Sequence, residues 1–171
     1  TSFSPAAAGA GKYTTDGIKW GGALGTGVTL TYSFPGVGAS HVTPYGDWSS
    51  PSEWQGLVAM TSGEKALARQ ALSVWSQVAN VSFLEVADSG TSAGELRIAK
   101  SSTVPLSSYA HAYYPSSDPS GGDIWLQATH FNSARKTNPA IGGDDFHTLV
   151  HEIGHALGLK HTFEGPNALP E

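Results

Sequence analysis

Three histidines and a glutamate near the end of the 171-residue sequence have a spacing suited to metal chemistry. They form the motif His151-Glu152-x-x-His155-x-x-Gly158-x-x-His161. On an α-helix, His151 and His155 lie one turn apart on the same face, so both imidazoles can reach one ion. A third ligand cannot follow at the same spacing, because the three would stand in a row. Gly158 allows a bend, since glycine adopts a left-handed conformation without steric cost, and His161 can then approach from another side.

The ligand set indicates zinc with an open coordination position. Three neutral imidazoles leave room for a water molecule, which is the arrangement of catalytic zinc sites. Zinc would activate the water, and Glu152, beside the ion but not bound to it, is predicted to be the general base. His147, one turn before the motif, would be a poor fourth ligand because it continues the same row. The remaining histidines lack paired spacing and are expected to be structural: His41, His111 and His130.

Composition narrows the possible functions. Nine Lys and Arg against fourteen Asp and Glu leave a formal net charge of -5 without a basic cluster, which argues against nucleic-acid binding. No apolar run approaches the roughly 20 residues that a membrane span needs. The chain has no cysteine, so a transition-metal site must be built from histidines and carboxylates. Its length fits one domain.

The hydrophobic pattern predicts an α+β chain. We interpret residues 1–12, which are small and apolar-poor, as a flexible tail, and 13–171 as one domain. Alternating Val28, Leu30 and Tyr32 predict the first strand, and four other runs are strand-like: 81–86, 95–100, 109–114 and 123–127. Residues 35–56 are rich in Pro, Gly and Ser, which predicts a long surface loop. Its aromatic side chains are expected to hold the loop against the rest of the protein.

Two helices are expected. The first begins with the capping box Thr61-Ser-Gly-Glu64, and its core-facing residues are predicted to be Leu67, Ala71, Val74, Trp75 and Val78. The second carries the histidines, has Asp144 or Asp145 as its N-cap and ends at Gly158. Its apolar side is predicted to consist of Phe146, Leu149, Val150, Ile153 and Leu157.

The extended motif at 151–161 resembles that of the metzincin proteases, and among them the serralysin-like bacterial enzymes. Further similar runs are Lys19-Trp20, Leu30-Thr-Tyr-Ser-Phe-Pro35, Ala71-Leu-Ser-Val-Trp75 and Ala79-Asn-Val-Ser-Phe83, so the resemblance covers most of 13–161. It implies the N-terminal subdomain of a metzincin-like protease domain. In that fold a twisted five-stranded mixed sheet with an antiparallel edge strand packs on two long helices.

The resemblance also implies where substrate binds. The run Ala110-His111-Ala112-Tyr113 is similar to the family's edge strand above the zinc, which holds an extended peptide through main-chain hydrogen bonds. His111 matches a structural-zinc ligand of matrixins, but the other ligands of that structural site are not found nearby in the sequence. A second, structural zinc ion is therefore not expected, and one catalytic zinc ion is. The implied partners are protein or peptide substrates, and the implied form is a monomer secreted to the extracellular space.

Some family features do not appear in the sequence. The only methionine is Met60, so the Met-turn that lies below the zinc in metzincins is expected beyond residue 171, together with the C-terminal subdomain. Calcium is expected only in C-terminal glycine-rich repeats, which this sequence does not contain. The predicted function is a zinc-dependent endopeptidase, with a zinc- or peptide-binding module without turnover as the alternative. A gluzincin-type site, in which a distant glutamate is the third ligand, is disfavoured by His161.

Overall fold

The computed structural model describes residues 19–23, 25–46, 48–89, 92–131 and 141–164. The predicted tail at 1–12 lies outside these ranges. In chain order the described residues form β1 (Val28–Ser33), a 3-10 helix (Glu53–Gly56), β2 (Leu57–Val58), α1 (Ser62–Val78), β3 (Val81–Glu85), β4 (Leu96–Ser101), β5 (Ala110–Ala112), β6 (Ile124–Gln127) and α2 (Asp144–Ala156).

Five strands form one mixed sheet in the order β3-β1-β4-β6-β5. β1, β3, β4 and β6 pair in parallel, whereas β5 is antiparallel to β6 at one edge. β4 and β6 are buried along their whole length, as expected for parallel strands that are covered on both faces. The predicted five-stranded mixed sheet with an antiparallel edge strand and two helices is confirmed. A two-residue strand, β2, additionally pairs antiparallel with the end of β4.

α1 begins as predicted but leaves the core earlier. Thr61 and Glu64 form the reciprocal capping box, and Leu67, Ala71 and their neighbours are buried. The prediction that Val74 and Val78 face the core was wrong, because their exposed fractions are 37% and 73%. In the last part of the helix Trp75 is half-buried, and its indole N–H donates to the Val150 carbonyl of α2 at 3.0 Å.

α2 lies against the sheet through its predicted apolar side. Phe146, Leu149 and Ile153 are buried in the main core, which also contains side chains of β1, β4, β6 and α1. The N-cap is Gly143, without a side-chain hydrogen bond, so the prediction of Asp144 or Asp145 was wrong. Both aspartates instead occupy the first turn, where the helix dipole favours negative charge.

The segment between β1 and α1 covers the other side of the sheet. In this segment the ring of His41 stacks on Trp54, and the hydroxyl of Tyr45 donates to the carboxylate of Asp123. Aromatic side chains therefore hold the long loop in place, as predicted. The 3-10 helix and β2 at its end were not predicted. Within the described ranges, no helix is long and apolar enough to span a membrane.

Candidate metal centre and substrate cleft

The end of α2 turns through a Schellman motif centred on Gly158. Gly158 has φ +103°, its N–H donates to the His155 carbonyl at 2.9 Å, and the Leu159 N–H donates to the Gly154 carbonyl at 2.9 Å. A residue with a side chain is strained at this φ, so glycine is required for the turn. The predicted bend is therefore present at Gly158, and it brings His161 back toward α2.

The Nε2 atoms of three histidines converge on one point. His151 and His155 are separated by 2.9 Å, and His161 lies 3.1 Å from each of them. A point at the usual zinc–nitrogen distance of about 2.0–2.1 Å from all three lies about 1 Å outside their plane. In the described part of the chain, this is the one group of three possible ligands close enough to share an ion. The donor set and its geometry fit a zinc ion with an open position.

Two of these rings are oriented by a hydrogen bond on the opposite nitrogen. The Nδ1 of His155 is 2.7 Å from the carbonyl oxygen of Leu159, and the Nδ1 of His161 is 2.9 Å from a carboxylate oxygen of Glu164. Both partners are acceptors, so each Nδ1 carries the proton and each Nε2 presents its lone pair. Sequence reasoning missed both partners. The position of Glu164 three residues after a predicted ligand was the available signal.

The surroundings of His151 favour its neutral form. Partial burial, and then the nearby His155 and His161 rings, lower the pKa of His151 below its usual value of 6.5. A neutral imidazole is the form that binds a metal ion. His151 therefore meets the chemical as well as the geometric requirement for binding the ion.

Glu152 lies beside the cluster and is largely enclosed. It is 7% exposed, and one carboxylate oxygen, Oε2, has no hydrogen-bond partner among the described residues. Burial raises the pKa of Glu152 to about 7, against an opposing effect of His161. A carboxyl group with this pKa can exchange a proton near neutral pH. A nearby divalent cation would favour its ionised form.

The four residues predicted to bind substrate lie at the sheet edge. In the antiparallel pair, the Tyr113 N–H donates to the Asp123 carbonyl and the Gln127 N–H donates to the Tyr109 carbonyl, both at 2.9 Å. Main-chain groups alternate in direction along such a strand, so those of Ala110 and Ala112 point away from β6 toward the open edge. The side chains of His111 and Tyr113 instead face the long loop.

A cleft separates this edge from the histidine helix. A cavity of about 360 Å³ is lined by six residues of the two elements: Tyr109, Ala110, His147, Thr148, His151 and Glu152. Just beyond β5, the ring of Tyr114 packs edge-on against His155 at a centroid distance of 5.7 Å. The edge strand, the predicted base and one of the three histidines, His151, thus border one cavity, whereas all three histidines line a second cavity of about 550 Å³. His147 lines the first of these cavities but is not part of the three-nitrogen cluster. The other described histidines also lie outside the cluster: His41, His111 and His130.

The sequence model of the matrixin family matches residues 57–169, a span that contains both helices and all three clustered histidines. The chain belongs to the matrixin family. This match confirms the metzincin resemblance. Proteases of the matrixin family depend on zinc. The family assignment does not by itself test the roles of individual residues, so the three ligands, the base and the substrate strand stay predictions for this matrixin chain.

Bacterial and human relatives support the assignment. The chain is 30% identical to serralysin G of Dickeya chrysanthemi over 155 residues, covering 88% of this chain and 30% of that protein. It is 30% identical to serralysin of Proteus mirabilis over 164 residues, covering 89% and 32%. Human matrix metalloproteinase-17 is 36% identical over 110 residues, covering 57% and 17%. The chain thus spans about a third of the length of the serralysins it matches.

A solved structure has the same fold. Myroilysin superposes with a TM-score of 0.50 at 21% sequence identity, covering 87% of this chain and 54% of that one. At this identity the similarity concerns the fold alone. It agrees with the metzincin-like arrangement of one mixed sheet and two helices.

Proposed function

We propose that this protein is a zinc-dependent endopeptidase in which His151, His155 and His161 hold a single catalytic zinc ion. The convergence of three Nε2 atoms beside a buried glutamate is the observation that carries the proposal. Family membership supports the same activity. A zinc ion held there would supply Lewis acidity, which activates a water molecule and polarises the scissile carbonyl.

Glu152 is proposed as the general base. Its enclosed carboxylate borders the cavity next to His151, and its raised pKa suits a group that takes a proton from water and delivers it to the leaving amine. Gly158 has a structural role, because its left-handed conformation carries the chain back so that His161 can meet the other two rings. His155 and His161 are held in the metal-binding tautomer by Leu159 and Glu164.

The substrate is proposed to be a protein or peptide in extended form, bound along β5. The main-chain groups of Ala110 and Ala112 face the open edge, where an added strand could pair with them. His111 lies on β5 and Tyr113 directly follows it, but neither side chain would touch the peptide, because both lie on the other side of the strand. From the similarity to serralysins, we also propose that the protein is secreted to the extracellular space and acts as a monomer. On the same basis, residues 13–171 are proposed to form the N-terminal subdomain of the protease domain.

Hydrolysis of a denatured protein such as casein by the zinc-loaded chain tests this proposal, with Glu152→Gln as the variant. We expect the variant to keep one zinc per chain and to lose at least about 100-fold in rate, the low end of general-base contributions. The matched control is Asp144→Asn, a carboxylate-to-amide change at an exposed position of the same helix. Its rate should equal that of the parent. Equal rates for Glu152→Gln and the parent, or bound zinc without hydrolysis by the parent, would contradict the proposal, and the second result would favour a binding module.

A further inference from the structure

The side of β5 that faces away from the cleft is held by the long loop. The imidazole of His111 is 8% exposed and stacks on Trp48, with ring centroids 3.7 Å apart and planes 16° from parallel. The fully buried carboxylate of Glu53 approaches the same imidazole, with an Oε1–Nε2 distance of 2.9 Å. The two atoms lie within hydrogen-bonding distance but without hydrogen-bond geometry, so the interaction is a close polar contact.

Tyr113 completes this arrangement from the next position on the same face. Its hydroxyl donates to Oε1 of Glu53 at 2.8 Å and accepts from the backbone N–H of Trp48 at 3.4 Å. A Cβ at Gly46 would overlap the ring of Tyr113, so glycine at that position lets the loop approach the strand. We call Trp48, Glu53, His111 and Tyr113 the loop clamp.

The loop side of the clamp is fixed to the centre of the sheet. Glu53 begins the 3-10 helix, and its carbonyl oxygen accepts a hydrogen bond from the Ser101 hydroxyl of β4 at 2.6 Å. The strand that follows, β2, pairs directly with β4. β5 itself has only β6 as a strand neighbour among the described elements. The clamp therefore connects a three-residue edge strand to the most buried part of the sheet.

The chemistry of the clamp is better suited to fixing geometry than to adding stability. Burial acts to raise the pKa of Glu53, but the contacts with His111, the backbone and Tyr113 outweigh it and lower the pKa below its usual value. Placing a carboxylate in the interior has a large desolvation cost that its contacts only offset, and an apolar pair could pack there without that cost. A directional polar contact, however, defines where the strand lies.

We propose that Glu53, His111 and Tyr113 are positioning residues that hold β5 where the main-chain groups of Ala110 and Ala112 can pair with a peptide substrate. The inference rests on the proposed function and extends it to the loop behind the strand. None of the three side chains lines the cleft cavity. Their effect on substrate is therefore exerted through the position of β5.

Two measurements on the zinc-loaded chain and its Glu53→Gln variant test the clamp. The first is the amide hydrogen exchange of Tyr113, whose N–H bonds to β6, and the second is the separation of KM and kcat on a fluorogenic peptide. We expect exchange to become at least tenfold faster and KM to rise about tenfold, because the amide loses the charge that attracts His111 and that strengthens the hydrogen bond from Tyr113. The kcat and the zinc content should stay within twofold. Tyr113→Phe, which removes only the bridging hydroxyl, should change both quantities in the same direction by a smaller factor.

The matched control is Glu85→Gln, which removes a paired carboxylate at an exposed site on the opposite edge strand. It should leave exchange at Tyr113, KM and kcat unchanged. Unchanged exchange in Glu53→Gln would overturn the clamp, and so would faster exchange with an unchanged KM. A fall in kcat at constant KM would also contradict it. If the parent hydrolyses no peptide, the proposed function fails, and the exchange measurement alone still decides whether the clamp holds β5.

Discussion

Histidines occupy two contrasting environments on either side of the cleft. At the C-terminal end of α2, the nitrogens of His151, His155 and His161 approach one another within 2.9–3.1 Å, close enough to share one ion. Behind β5, His111 stands alone, enclosed by the ring of Trp48 and the carboxylate of Glu53. The first group is arranged to bind something external, whereas the second contacts only the protein.

The difference shows what decides the role of a histidine. Three imidazoles brought together without a cation cannot all satisfy one another, because each Nε2 presents a lone pair to the same point. The single imidazole of His111 instead lies between an aromatic ring and a carboxylate of the protein, and no other described histidine shares its contact. Substitutions on the two sides should therefore have opposite effects on zinc binding and on stability.

The largest effect is expected for His151→Ala. Loss of one of three ligands should weaken zinc binding by more than about 100-fold, since loss of an outer hydrogen-bond partner alone costs about 10- to 100-fold. Because His151 is exposed, the free energy of unfolding without zinc should change by less than about 0.5 kcal/mol. Zinc titration and urea unfolding of the metal-free chain measure the two quantities. His130→Ala, outside the cluster, is the control, and equal zinc affinities for the two variants would remove His151 from the ligand set.

The reverse result is expected for His111→Ala. Zinc stoichiometry should stay at one, whereas the free energy of unfolding should fall by about 1–3 kcal/mol, because the buried Glu53 carboxylate loses a partner. Urea unfolding of the metal-free variant beside His151→Ala gives the comparison directly. A loss of zinc in His111→Ala, or a stability equal to that of His151→Ala, would contradict the distinction between the two environments.

The smallest effect is expected for Glu164→Gln. The carboxylate orients His161 from an exposed position, so its loss should weaken zinc binding by at most about tenfold, the low end for such partners. Glu85→Gln is the control, and zinc titration is the measurement. A loss above 100-fold would instead identify Glu164 as a ligand, and an unchanged affinity would exclude an orienting role.

The α2 cluster was predictable from the sequence because helix geometry fixes its parts. The four-residue interval between His151 and His155 sets their common face, and a glycine three residues later permits the turn. The first strand was found for a similar reason, since the alternation of Val28, Leu30 and Tyr32 with polar residues indicates a half-buried strand. Local spacing is sufficient where neighbouring residues in the sequence are also neighbours in space.

The loop clamp was not predictable by the same reasoning. Glu53 and His111 are 58 positions apart, and no periodic pattern connects a loop carboxylate to one histidine of a short strand. Val78 was assigned to the core because helical periodicity gives its face but not how far the sheet extends beneath it. The N-cap of α2 was assigned to an aspartate because propensity favours one there, whereas the chain enters this helix through Gly143.

Zinc-edge X-ray absorption on the zinc-loaded chain tests the metal centre most directly. The spectrum should show three imidazole nitrogens at about 2.0–2.1 Å and at least one oxygen in the remaining coordination position. In the His161→Ala variant, one imidazole should be lost from any bound zinc. Fewer than three imidazoles in the parent, or the same spectrum in parent and variant, would contradict a centre built from His151, His155 and His161.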